Sequence, residues 1–115
     1  WSKNLEVFYQ HEVEKVEGGI CSRVQLKHIE EEVVNLAAFD VSEIYSRVQC
    51  PGLILRADQG MMAEDDLLLP EDVAAHMLEA IPSVQKAEIP NVNHYTIMFN
   101  PSPVRDQALQ IFLAG

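Results

Sequence analysis

The order of apolar and polar positions divides the chain into stretches of different period. Between residues 5 and 25, Val7, Tyr9, His11, Val13 and Lys15 approach alternation, and Ile20 and Val24 resume beyond Gly18-Gly19. Alternation marks strands and paired glycines supply the positive φ of a tight turn, so two extended stretches joined as a hairpin are expected. From Leu26 to Phe39 the period lengthens. Leu26, Ile29, Val33 and Leu36 recur at three- and four-residue steps, with Lys27, Glu30, Glu31, Glu32 and Asn35 on the other face. That spacing predicts an amphipathic helix whose apolar stripe packs into a core. A short helix over 42–48 follows, with Asp40 as its cap or just before it.

At Pro51 the character changes. Gly52-Leu53-Ile54-Leu55 is a continuous apolar run behind a breaker, as expected of a strand buried on both faces of a parallel sheet. A long acidic loop, Asp58 to Leu69, comes next. Pro70, Glu71 and Asp72 then open a helix, since proline suits a first turn and acids suit its positive end. Its predicted inner face is Val73, Met77, Leu78 and Ile81, and Pro82-Ser83 closes it. Ala87-Glu88-Ile89 reads as a second short strand ended by Pro90, and a loop through Asn91, Val92, Asn93, His94 and Tyr95 follows. Ser102 caps a last helix with Pro103 in its first turn and Val104, Ala108, Ile111 and Phe112 along one side. The order strand, helix, strand, helix from residue 51 onward predicts an α/β class with parallel strands.

Composition narrows the function classes. Apolar residues make up 48% and charged residues 23%, as in ordinary globular domains. Eight Lys plus Arg against eighteen Asp plus Glu give a formal net charge of −10, which repels nucleic acid and anionic lipid. Neither is expected as a partner. No apolar run approaches the ~20 residues of a membrane span and none reads as a signal peptide, so a cytoplasmic location is expected. Cys21 and Cys50 fit no metal or redox spacing and read as buried or half-buried thiols. The chain opens at Trp1 without an initiator Met and closes behind an apolar helix, as a processed piece of a longer protein would.

Chemistry is expected where parallel strands end. Two loops leave such ends, one with Asp58, Glu64, Asp65 and Asp66 and the other with His94. A carboxylate there can accept a hydrogen bond from one imidazole nitrogen and fix its tautomer. The other nitrogen is then free to act as base toward a hydroxyl or thiol.

These residues resemble the last two strands and helices of α/β-hydrolases, the esterase- and lipase-like enzymes. The resemblance covers residues 48–115 and rests on Gln49-Cys50-Pro51-Gly52-Leu53-Ile54-Leu55-Arg56, on Ile89-Pro90-Asn91-Val92-Asn93-His94-Tyr95, and on the final helix ending in Ile111-Phe112-Leu113. It implies His94 as the catalytic base and an aspartate as the acid that orients it, because the family order is nucleophile, acid, histidine. It also implies that residues 1–47 form a cap-like region and the return to the core, and that 48–115 form the C-terminal part of the hydrolase core.

The acid is Asp66, Asp58 or Asp65, in that order of preference. Asp66 is followed by Leu67-Leu68-Leu69-Pro70, resembling the family's stretch between acid and helix. Asp58 adjoins the strand but stands farther from His94 in sequence, and Ala57 replaces the family's glycine before it. No serine or cysteine here has the G-x-S-x-G setting of the family nucleophile, so a chain of these residues alone is expected to be inactive. No organic cofactor is implied. No metal is either, since Asp58-Gln59-Gly60-Met61-Met62 lacks the ligand pattern of a calcium loop. The expected partner is a small-molecule substrate of the complete enzyme, an ester or a related acyl or carbon–carbon compound. An open apolar strand edge predicts self-association or pairing with the missing N-terminal part. Two rival readings are a small non-catalytic α/β binding or assembly domain whose acidic loop meets a basic partner, and a non-catalytic hydrolase relative that senses ligands.

Overall fold

The computed structural model describes residues 1–115, which fall into two units, Trp1–Val41 and Ser42–Gly115. The first unit begins with helix α1 (Lys3–Glu12) rather than the expected extended stretch. Its start explains the difference. The Ser2 hydroxyl accepts the Leu5 amide at 3.2 Å, Glu6 faces the positive end, and Gln10 bonds back to Glu6 one turn away at 3.3 Å. Cap, dipole and i,i+4 pair together outweigh a weak alternation. The hairpin itself is present but shorter, as β1 (Val13–Val16) and β2 (Gly19–Ser22) in antiparallel register. Gly18 turns it at φ +86°, a conformation open to glycine at little cost.

Helix α2 (Leu26–Ala37) closely matches the predicted span. Its stripe does not become core. Leu26 and Leu36 stay 69% and 70% exposed, and Ile29 and Val33 are exposed as well. No residue of this unit is buried. The helix forms because its apolar period and lack of breakers suit one, but forty-odd residues in two helices and a hairpin have too little surface to enclose a core.

The short helix expected over 42–48 is a 3-10 helix (Val41–Arg47), which carries the buried Tyr45 and leads into the second unit. It continues through β3 (Gly52–Ala57), α3 (Glu71–Ala80), β4 (Val84–Ile89), the short α4 (Thr96–Phe99) and α5 (Pro103–Ala114). The fold is mixed α/β: a hairpin, and a two-stranded parallel sheet of β3 and β4 flanked by helices. Pairing runs from Gly52 opposite Val84 to Ala57 opposite Ile89. Both strands are longer than the apolar runs suggested, because ladder bonds extend beyond the residues that carry the pattern. Leu53–Leu55 are half-buried rather than enclosed on both faces, since β3 has one strand neighbour.

Helix α3 packs on β4, and α5 on both strands. Ala74 and Ile81 are the buried residues of α3 and its end, whereas Val73 is exposed. Ser102 caps α5 through the Arg105 amide at 3.2 Å, with Pro103 in the first turn as expected. The core lies under the strand ends: Ile89, Val92 and Ile97, with Leu55, Ala57 and Ala87 packed against them. Both cysteines are exposed and reduced, so the expectation of buried thiols fails: Cys21 lies on the open hairpin and Cys50 just ahead of β3. No helix is long and apolar enough to cross a membrane.

Candidate functional site at the parallel strand ends

Because the register ends with Ala57 beside Ile89, β3 and β4 release their loops at one rim. Two hydrogen bonds lace the loops together. The Gln59 amide donates to the Val92 carbonyl at 3.0 Å, and the Val92 amide donates to Asp58 Oδ1 at 3.3 Å. Val92 is buried in the core cluster, so the lacing is anchored from below. Asp58 Oδ2 takes no part in this lacing.

The His94 loop is held from both sides. Asn91 takes a left-handed φ of 60°, which asparagine tolerates better than most residues. Asn93 Oδ1 accepts the amides of Tyr95 and Thr96 at 3.0 and 2.9 Å, and Thr96 Oγ1 accepts the Asn93 amide at 2.8 Å. Such a reciprocal arrangement satisfies amides that a helix start leaves unpaired. Beyond α4, Arg105 Nη1 donates to the carbonyls of Ile97 and Asn100 at 2.7 and 2.9 Å, tying the loop's far end to α5. Between these fixed points His94 is exposed, its ring edge-on to Tyr95 at 5.9 Å. It forms no hydrogen bond or ion pair with a carboxylate.

The three candidate acids have different surroundings. Asp66 is turned into its own loop, where its oxygens accept the amides of Met61 and, at 2.7 Å, Met62. Loss of hydration, the largest single influence, pushes its carboxyl up. The hydrogen bonds from the backbone of Met62, Ala63 and Met61 together outweigh that and hold it below its ordinary value. Gly60 is required for this clasp, because a Cβ there would collide with the Ala63 carbonyl and the Asp66 carboxylate. Asp65 is exposed and takes no part in the clasp. Asp58, at the end of β3, reaches the histidine's loop directly.

Arg56 was not singled out by the sequence. It is buried on β3 opposite Glu88, and its Nη1 meets both Glu88 oxygens at 3.0 and 2.9 Å. Its Nε donates to the Leu69 carbonyl at 2.8 Å, so it closes the far end of the acidic loop onto the sheet. Lys86 and Glu71 extend the network, with Lys86 Nζ at 2.5 Å from Glu71 and 3.1 Å from Glu88. The hydrogen bond from Lys86 is the main reason the Glu71 carboxyl is lowered, and the same bond raises the Lys86 ammonium. An arginine ending an apolar run, with a glutamate on the following strand, was the available signal. The Asn93-x-x-Thr96 spacing was the signal for the cap.

A cavity of about 150 Å³ lies beneath the rim. Leu55, Ala57, Leu68, Leu69 and Ile97 make it mostly apolar, and Arg56, Gln59 and His94 add polar groups. No set of three His, Cys, Asp or Glu side chains gathers as metal ligands would.

No known protein family and no curated protein matches this chain. The chemical capacity of the rim follows from its groups: an exposed imidazole on a braced loop, a carboxylate tied to that loop, and an apolar hollow beside them.

Proposed function

We propose that the chain is the C-terminal part of an α/β-hydrolase in which His94 is the general base toward a serine supplied from outside these residues. The substrate is a small-molecule ester, or a related acyl or carbon–carbon compound. The observation that carries this reading is the lacing of the two loops at one strand-end rim, Gln59 to Val92 and Val92 to Asp58. In that geometry the loop of Asp58 and the loop of His94 leave one rim, the placement that proton relay through a histidine requires. Asp58 is the better orienting acid, because the lacing uses only one of its oxygens. Asp66 spends both oxygens on its own loop and serves to shape it.

The test uses the protein made from its complete gene. His94→Ala is expected to lower turnover of a short-chain nitrophenyl ester by 10³-fold or more, with Asp58→Asn next and Asp66→Asn smaller. Turnover unchanged in His94→Ala removes the histidine from the mechanism.

One observation favours a second reading, a non-catalytic binding domain. His94, Asp58, Asp65 and Asp66 are all exposed, and no bond joins the imidazole to an acid. On that reading the complete protein hydrolyses no ester, and the acidic loop binds a basic partner with an affinity that falls steeply with salt.

A further inference from the structure

The hollow beside His94 has a size and lining that specify its occupant. Its walls are side chains of β3, the acidic loop and α4: Leu55 and Ala57, Leu68 and Leu69, and Ile97. These five offer a ligand dispersion contacts. At about 150 Å³ it is well below the ~300 Å³ at which drug-sized pockets begin. A dry apolar cavity of roughly that volume takes a single benzene ring. Polar groups come from Arg56, whose guanidinium is already committed to Glu88 and the Leu69 carbonyl, and from Gln59 and His94.

We propose that this cavity is a binding site for a compact apolar group, a single ring or a branched chain of comparable bulk, carried by a molecule whose polar end meets Gln59 and His94. As the substrate pocket of an esterase this rests on the hydrolase reading, and it then selects esters with one small ring or a short branched chain. Binding itself does not depend on that reading. The fit is set from two directions. Ala57 packs against the core cluster and keeps the floor low, while Leu68 lines one side from the loop at 62% exposure. Arg56 fixes the neighbouring Leu69 through its carbonyl, so the wall stays in place without a ligand.

The experiment titrates the full chain, labelled at its methyl groups, with benzyl alcohol and follows the methyl resonances. Saturable shifts are expected at Ala57, Leu55, Leu68, Leu69 and Ile97, with a Kd on the order of 1 mM. Ala57→Leu fills the floor and is expected to weaken binding at least tenfold. Leu68→Trp, at a loop position whose change leaves the core intact, is expected to weaken it severalfold. Shifts confined to exposed apolar positions such as Leu26 and Leu36, or filling variants that bind as well as the parent, overturn the proposal. If the lining shifts and the variants lose binding while the complete protein hydrolyses no ester, the site stands and the hydrolase reading falls.

Discussion

Replacing Arg56 with methionine keeps most of the stem's volume and removes the charge and every donor. The guanidinium side chain is 9% exposed, and it holds both Glu88 oxygens and the Leu69 carbonyl at 2.8–3.0 Å. A hydrogen bond to a charged group contributes about 1.5–3 kcal/mol when both ends are dry, and a stranded acceptor costs about 1–3 kcal/mol. Glu88 is 43% exposed and can recover water, so its share falls toward the ~1 kcal/mol scale of a surface pair. The half-buried Leu69 carbonyl recovers less and adds about 1–2 kcal/mol. The expected loss is therefore about 2–3 kcal/mol, a large fraction of the ~5–15 kcal/mol that stabilises a typical domain. Urea unfolding followed by far-ultraviolet circular dichroism measures it as a lower midpoint at unchanged slope. Arg56→Lys should recover no more than half, since one ammonium cannot meet Glu88 and Leu69 together as the planar fork does. A double-mutant cycle with Glu88→Gln should show about 1 kcal/mol of coupling. A loss under ~0.5 kcal/mol in Arg56→Met would mean that solvent replaces the whole network and that the buried guanidinium does not stabilise the sheet.

The Glu71–Lys86 contact should give stability a plateau at intermediate pH. The lowered Glu71 carboxyl contributes stability above its unfolded value and loses it as pH falls through the folded one, whereas the raised Lys86 ammonium contributes below its unfolded value and loses it as pH rises through the folded one. Unfolding midpoints of Glu71→Gln should accordingly depend less on acid than those of the parent, and an unchanged acid limb would remove the contact from the account. Asn93→Ala should cost about 0.5–2 kcal/mol by loss of the cap and speed amide exchange at Tyr95 and Thr96; exchange at parental rates there refutes the bracing role. A two-stranded parallel sheet has open outer edges, and α2 exposes an apolar stripe, so the 115-residue chain should self-associate with rising concentration; a clean monomer in sedimentation across a wide range contradicts this.

How much of this could be read in advance depended on whether local rules were opposed. Proline and a capping serine placed the start of α5 closely, and the breaker before Gly52 placed the start of β3, because these local signals act on the termini themselves. Residues 5–12 went the other way: alternation of only a few side chains was weaker than a serine cap with an i,i+4 pair, and a helix formed. The exposed stripe of α2 shows a second boundary of sequence reading. Periodicity predicts which face is apolar but carries no information on what covers it. Likewise the apolar run at 53–55 predicted a strand correctly and its enclosure wrongly, because burial depends on how many strands stand beside it.

At the site the same distinction separates the histidine from the acids. The position of His94 follows from local geometry, since the strand end, a left-handed asparagine and a reciprocal cap fix its loop within a few residues. The acidic loop is long and begins and ends on the sheet, at the Val92 lacing and at Arg56. Between those ends its aspartates compete for its own unpaired amides. Asp66 wins Met61 and Met62 because Gly60 lets the backbone close around it, and that leaves Asp58 nearest the histidine's loop. Linear spacing to His94 favours Asp66, whereas the hydrogen bonds of the loop favour Asp58. A carboxylate bound to its own backbone amides is a poor orienting group, because turning it toward an imidazole breaks two hydrogen bonds that shape its loop. Asp58 gives up one long bond to do the same. The lower cost of that rearrangement assigns the orienting role to Asp58 in the proposed mechanism, and Asp58→Asn should therefore impair ester turnover more than Asp66→Asn.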